Sequence, residues 1–268
     1  MRRPPRSCAT TGSKVLSTEA RRDRYLGGRV QAWQPVAGYR AGMDAVLLSA
    51  AVPAQAGETA LELGAGAGVA SLCLAARVTG CRVTAVERDA AYAELARRNA
   101  CENDGAVEVV EADIAALPPE LKARSFAHVL FNPPYFDRRR GKASPDPARE
   151  AAMGEETPIA EWVDVAARRL APLGLLTVIH RAERLPELLA ALQGQGGFGG
   201  PQMLPLAGRA GRDAGRVIVQ ARKGGRADAR LLAPMVLHRG PAHERDGDDF
   251  TEEAAAILRE GAPLTRLL

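Results

Sequence analysis

Asn132, Pro133, Pro134 and Tyr135 directly follow the apolar run Val129, Leu130, Phe131. That run reads as a buried strand, so the four residues stand where a strand leaves a sheet. Two successive prolines fix two φ angles and remove two backbone donors, and the residue before a proline is pushed out of the helical region. The spacing predicts a stiff turn holding the Asn132 amide and its neighbouring carbonyl in one orientation. An amide oxygen and a fixed carbonyl accept hydrogen bonds from a planar –NH2 group, and a following aromatic ring stacks on the plane that carries it. The chemistry on offer is recognition of an exocyclic amine or a side-chain amide. Asn-Pro also opens ordinary turns, so a second signal is needed.

That signal lies upstream. A short strand, Thr59 to Leu63, runs into Glu62-Leu63-Gly64-Ala65-Gly66-Ala67-Gly68 and then a helix from about Val69. Glycines at alternate positions let the backbone turn sharply and let a ligand approach without Cβ contacts. Tight packing of helix on strand is the plainer use of the same glycines. A second strand, Arg82 to Val86, ends in Glu87, where an acid is placed to accept both hydroxyls of a ribose. A third, Val107 to Val110, leads to Asp113 at the same sheet edge. Loop and acids together indicate a nucleotide-type ligand.

The elements that must position these residues repeat as strand then helix. Asp89 is placed to cap a helix from Ala90 to about Cys101. Four such steps imply an α/β fold with a doubly wound, mostly parallel sheet. Asp44 falls in the first turn of an earlier apolar helix, where a carboxylate is favourable. From Asp137 to about Thr157 the chain is polar and proline-rich, with Arg138, Arg139, Arg140 and Lys142 together, which predicts a long loop over the site. Further on, a helix from Ile159, a strand Leu175 to Ile179, a helix Arg184 to Leu192 and strands Gln202 to Leu206 and Arg216 to Ala221 are expected. Arg209, Arg212, Arg216, Arg222, Lys223, Arg226 and Arg230 gather around the last of these. A final helix from about Thr251 to Arg259 stops at Gly261.

Composition bounds the rest. The chain has 268 residues, is 46% hydrophobic and carries a net charge of +4. Residues 1–24 hold seven basic residues against Glu19 and Asp23, and their low hydrophobicity predicts a disordered basic tail before one domain over 25–268. No apolar run reaches membrane-spanning length and no apolar core follows the first arginines, so a cytoplasmic location is expected. Neither the four cysteines nor the four histidines show metal-ligand or catalytic spacing, and no metal is expected.

Taken together, the glycine loop, Glu87, Asp113 and Asn132-Pro133-Pro134-Tyr135 resemble, in order and spacing, the class I S-adenosylmethionine-dependent methyltransferases. The Asn-Pro-Pro-Tyr form resembles the branch acting on amino groups. Tyr39-Arg40-Ala41-Gly42-Met43-Asp44-Ala45-Val46-Leu47-Leu48, Gln220-Ala221-Arg222-Lys223-Gly224 and Asp249-Phe250-Thr251-Glu252 make it most similar to the bacterial tRNA1(Val) adenine-N6 methyltransferase family. The resemblance covers about Tyr25 to the C-terminus and implies a seven-stranded sheet with an antiparallel last strand. It also implies an N-terminal helical segment, a C-terminal extension and S-adenosylmethionine as cofactor. In that family Gly64, Gly66 and Gly68 would pass the methionine moiety, with Glu62 at the base of the loop and Asp44 in the segment completing the pocket. Glu87 would hold the ribose, and Asp113 and Ile114 the cofactor's adenine. Asn132 and Pro133 would hold the target N6 amine, Pro134 would stiffen the turn, and Tyr135 would stack on the flipped-out base. The implied partner is tRNA, modified next to the anticodon, with Arg138, Arg139, Arg140 and Lys142 as candidate RNA contacts. A glutamine-amide methyltransferase acting on a peptide release factor and a catalytically silent RNA-binding module remain alternatives. Methyltransferases on release factors resemble one another in an added N-terminal helical domain, for which only about sixty residues precede the glycine loop here.

Overall fold

The computed structural model describes residues 19–105, 107–134, 157–194, 197–242 and 249–267. A hairpin opens it, β1 (Ala20–Tyr25) pairing antiparallel with β2 (Val30–Pro35). Among the described residues, regular structure thus begins five residues before Tyr25, inside the stretch expected as tail. The basic residues Arg21, Arg22 and Arg24 mask the strand in composition, yet Asp23 ties it down by accepting from Arg40 at 2.6 Å and Gln34 at 2.8 Å. Residues 1–18 lie outside the described residues.

The main sheet then builds up as alternating strands and helices. They are α1 (Met43–Ala51), β3 (Thr59–Leu63), α2 (Val69–Arg77), β4 (Arg82–Glu87), α3 (Ala90–Glu102), β5 (Val107–Glu111), the short α4 (Pro119–Lys122) and β6 (Phe126–Phe131). After the undescribed segment come α5 (Ile159–Arg169), β7 (Leu170–Arg181), α6 (Leu185–Gly194), β8 (Phe198–Arg209), β9 (Ala214–Lys223), β10 (Arg230–Leu231) and β11 (Met235–His238). A short helix α7 (Glu252–Ala255) winds into a wider turn over Ala256–Glu260.

Strand order is β10-β8-β9-β7-β6-β3-β4-β5, with β11 added on β8. The strands β3 to β7 run parallel, whereas β9 runs antiparallel to both β7 and β8. The doubly wound sheet and its reversed last long strand match the expectation. Its size does not: among the described residues the sheet has nine strands, not seven. The additions are the two-residue β10 and four-residue β11, both parallel on the β8 edge. A parallel pairing with a strand some thirty residues earlier leaves no turn signature in the sequence. The Pro172/Gly174 break survives as a bulge inside β7, where pairing jumps from Phe126↔Leu170 to His128↔Leu175 and Leu173 adopts φ 61°.

Period-two alternation explains how the sheet is buried on both faces. Along β3, Leu61 and Leu63 face one core with Val129, Phe131, Trp162 and Val163, while Ala60 faces the other with Leu72, Leu74 and Val83. Glu62 therefore lies on the face of Ala60, under α2. That register sets its chemistry.

Candidate active site

The carboxyl ends of β3, β4, β5 and β6 meet at one edge, as doubly wound sheets require of a ligand crevice. Gly64, Gly66 and Gly68 all have positive φ, at 64°, 55° and 80°. They do different things. A Cβ on Gly64 would lie 2.5 Å from Trp162 Cη2, and one on Gly68 3.4 Å from the Ala96 Cβ. Both are packing glycines that let α5 and α3 close on the loop. A Cβ on Gly66 would instead face the Tyr39 ring at 3.7 Å, so of the three Gly66 has the most room beside it.

Glu87 braces this loop. Its Oε2 accepts from the Gly66 N–H at 2.7 Å and its Oε1 from the Asp89 N–H at 2.9 Å. Each carboxylate oxygen keeps a second lone pair for a ligand hydroxyl. Asp89 caps α3 as expected, accepting from the N–H groups of Ala91 and Tyr92. Asp113 lies just past β5 and accepts from the Ala115 N–H at 2.9 Å, and Ile114 beside it is buried.

Glu62 is only 4% exposed. The N–H and hydroxyl of Ser71 both donate to its Oε2, at 2.8 and 2.5 Å, tying β3 to α2 beneath the loop. Burial pushes its pKa from 4.5 up to about 8; the Ser71 hydrogen bonds oppose this and the Glu87 charge adds to it. Between those values the folded protein holds a proton that the unfolded chain has lost. Glu62 therefore contributes stability that is fully present below pH 4.5 and lost as pH rises toward 8. Replacing it by Gln should remove that slope, which approaches about 1.4 kcal/mol per pH unit. Urea unfolding of both proteins at pH 5, 6 and 7 tests it, and equal pH dependences would show Glu62 ionised throughout.

Asn132 leaves β6 one residue after Phe131, with Pro133 buried and Pro134 exposed. Its Nδ2 donates to the Tyr39 hydroxyl at 3.3 Å, which turns that end of the amide toward Tyr39 and Oδ1 away from it. Tyr39 is in turn held by its carbonyl, which accepts from the Tyr92 hydroxyl at 2.9 Å. Half of Tyr39 is exposed, yet burial around its hydroxyl and the Asp44 and Glu62 carboxylates push its pKa up to about 12. The phenol stays protonated at any physiological pH. Tyr39 thus spans from Gly66 to Asn132, joining the two signals that the sequence presents sixty-odd residues apart.

Two site residues escape sequence reasoning. Tyr39 stands in a segment quoted for family likeness, with no role attached to its ring. Trp162 sits in α5, where an aromatic on the apolar face of a helix reads as core. It is core, but it packs between Gly64 and Phe131, its ring centroid 5.4 Å from the Phe131 ring. Its buried indole N–H has no partner among the described residues. Asp44, expected at the methionine pocket, pairs with Arg216 Nε at 2.9 Å. Tyr135, Arg138, Arg139, Arg140 and Lys142 lie outside the described residues.

Among the described residues no group of His, Cys, Asp and Glu could hold a metal ion, and no helix is long and apolar enough to cross a membrane. What the described residues bring together is the Asn132 amide, a glycine loop braced by Glu87, and an acidic sheet edge.

Known proteins share this plan. The methyltransferase small domain matches residues 41–195. A tRNA1(Val) (adenine(37)-N6)-methyltransferase of Porphyromonas gingivalis is 34% identical over 162 residues, 56% of this chain and 61% of that protein. One of Dickeya chrysanthemi is 30% identical over 225 residues, 82% of this chain and 87% of that protein. The crystal structure of a predicted O-methyltransferase from Agrobacterium tumefaciens superposes with a TM-score of 0.69 at 30% identity, covering 84% of this chain and all of that one. An S-adenosylmethionine-dependent O-methyltransferase of Thermotoga maritima, with TM-score 0.51 at 16% identity over 72% of this chain and 69% of its own, shares the fold. The sheet order with its reversed β9 is the class I methyltransferase arrangement. With a likeness that runs through most of the Dickeya protein, the chain belongs to the methyltransferase small domain family and, within it, to the tRNA1(Val) (adenine(37)-N6)-methyltransferases.

Proposed function

We propose that this chain transfers a methyl group from S-adenosylmethionine to the N6 amine of an adenine in structured RNA, in a tRNA next to the anticodon. The observation that carries the reading is the Asn132-Pro133 turn, oriented by Tyr39 and set against the glycine loop. The relatives named above are called adenine(37)-N6 methyltransferases of a tRNA, which agrees with it.

The residues suit the cofactor. Gly66 has only the half-exposed Tyr39 ring beside it, and Glu87 reaches the loop with lone pairs to spare. Glu87 and Asp113 supply negative charge for a cationic ligand, with Glu62 holding the base of the loop through Ser71. Gly64 and Gly68 shape the loop, Glu87 takes the ribose hydroxyls, and Asp113 and Ile114 take the adenine. When bound, S-adenosylmethionine supplies an electrophilic methyl on a sulfonium.

The chain's own work is orientation. An adenine amine is a poor nucleophile because its lone pair is delocalised into the ring. Asn132 Oδ1 and the Pro133 carbonyl accept its two N–H bonds, draw the nitrogen toward tetrahedral geometry and aim the lone pair. Pro134 stiffens the turn and Tyr135 stacks on the extruded base. The methylated nitrogen is cationic and acidic, so the proton leaves after transfer without a strong base. Arg138, Arg139, Arg140 and Lys142 directly follow the turn and meet the RNA backbone beside the base. A tRNA substrate makes the cytoplasm the place of action.

The test is transfer of labelled methyl from S-adenosylmethionine into total cellular RNA and into protein extract, with nucleoside analysis. N6-methyladenosine in the RNA is the expected result. Label confined to protein, on glutamine amide, would overturn the reading in favour of a release-factor type substrate.

A further inference from the structure

Charge is divided along the carboxyl edge of the sheet. Over β4 and β5 it carries Glu87, Asp89, Glu111 and Asp113, against Arg88. On the other side of Asn132, over β7, β8, β9 and β11, it carries Arg181, Arg209, Arg212, Arg216 and Arg239, against Glu183, Asp213 and Asp249. The register fixes heights. Phe131, the last residue before the reactive turn, is level with Val178, Val219 and Met203. The Arg181↔Arg216 pair stands three residues beyond that row, and Arg209, paired with His238, stands six beyond Met203. At about 3.3 Å per residue the wall rises roughly 20 Å along the strands from the row of Phe131.

A wall of that height needs bracing, and it has it. Asp249 accepts from Arg209 and pairs with His238 Nδ1 at 2.6 Å, while His238 stacks on Phe250 with centroids 4.8 Å apart. Arg209 also donates to the carbonyls of Arg239 and Gly240. Arg209 is thus committed to structure, and Arg216 to Asp44. Arg212, in the β8–β9 turn, and Arg239, just past β11, are exposed at the top. The remaining basic residues of the C-terminal cluster go elsewhere: Lys223 and Arg222 donate at 2.7 Å to the carbonyls of Leu170 and Leu173, toward the opposite edge.

We infer that this wall, through Arg212 and Arg239, docks the phosphate backbone of the RNA substrate several nucleotides away from the target base. The inference rests on the RNA reading above and adds a surface to it. Arg181 pairs with Glu183, which leaves Arg212 and Arg239 as the exposed arginines of the wall. Two cations so far from Asn132 reach neither the cofactor nor the reacting base, so they serve a substrate much larger than a nucleoside. A height of that order spans several phosphates of a stacked strand, which puts the wall several nucleotides from the target.

The experiment compares full-length wild type, Arg212→Ala/Arg239→Ala and the opposite-edge control Arg82→Ala/Arg226→Ala, each double variant losing two exposed charges. Affinity for an unmodified in vitro tRNA transcript is measured at several salt concentrations, and methyl transfer to the same transcript is scored alongside. The wall variant should flatten the slope of log affinity against log salt by about 1.5, at 0.7 to 0.9 for each phosphate no longer neutralised. The control should run parallel to wild type. Transfer intact with all three lines parallel would overturn the docking face while leaving the RNA reading standing. Equal flattening in both variants would also overturn it, since the attraction would then be global. A wild type that neither binds nor methylates the transcript would overturn the inference together with the reading beneath it.

Discussion

Asn132→Ala is expected to lower kcat by on the order of a hundredfold or more while S-adenosylmethionine affinity stays nearly unchanged. The amide oxygen gains its worth as the amine nitrogen becomes tetrahedral, so its loss falls on the transition state and not on cofactor binding. The fold should tolerate the change, because Asn132 is only partly buried and the two following prolines keep the turn. Tyr39→Phe gives an intermediate case. It removes the hydroxyl that accepts from Asn132 Nδ2 at 3.3 Å and frees the amide to rotate. A single neutral hydrogen bond of about 1 kcal/mol corresponds to a loss of roughly fivefold in kcat. Single-turnover methylation and calorimetric titration with the cofactor separate the two quantities. An Asn132→Ala protein with an intact fold and near-normal turnover would remove the amino-group mechanism.

What was legible in the sequence is what depends on local backbone chemistry. The Asn132-Pro133-Pro134 turn is stiff because of ring closure and steric exclusion, whatever surrounds it, and the structure puts it at the end of β6. Asp89 capping α3 and the glycine loop between β3 and α2 follow from equally local rules. The reversed β9 came from family likeness. The residues left unread are those whose role is set by distant partners. Trp162 looks like any apolar-face aromatic until α5 lies against Gly64, and nothing near Tyr39 announces that its hydroxyl meets a side chain 93 positions later. The C-terminal arginines form one cluster along the chain and two in space, as expected of an antiparallel last strand that carries Arg222, Lys223 and Arg226 to the opposite edge. The edge strands β10 and β11 were invisible for the related reason that their pairing is parallel and long-range.

The division of labour among the glycines makes the second large effect specific. Gly66→Val should weaken S-adenosylmethionine binding by roughly tenfold to a hundredfold, the scale of losing a charge-assisted hydrogen bond worth about 1.5–3 kcal/mol. Valine is β-branched and resists the φ of 55° found here, so the loop must shift, pulling its N–H from Glu87 Oε2 and crowding the Tyr39 ring. The stability cost should be modest, about 1–2 kcal/mol for one left-handed residue, since that Cβ meets only the half-exposed Tyr39 ring. Gly64→Ala should behave the other way. Its methyl would press on the Trp162 indole at 2.5 Å as well as strain a φ of 64°, and overpacking adds about 1–3 kcal/mol to the conformational cost. That collision is on the α5 side, so the damage is to stability first. Trp162→Leu in the same chain should return part of the loss by making room, although Leu alone would leave a cavity. Urea unfolding and cofactor calorimetry on the four proteins give both numbers for each. If Gly66→Val binds the cofactor as tightly as wild type, Gly66 is a packing glycine like its neighbours, and the cofactor lies elsewhere than along this loop.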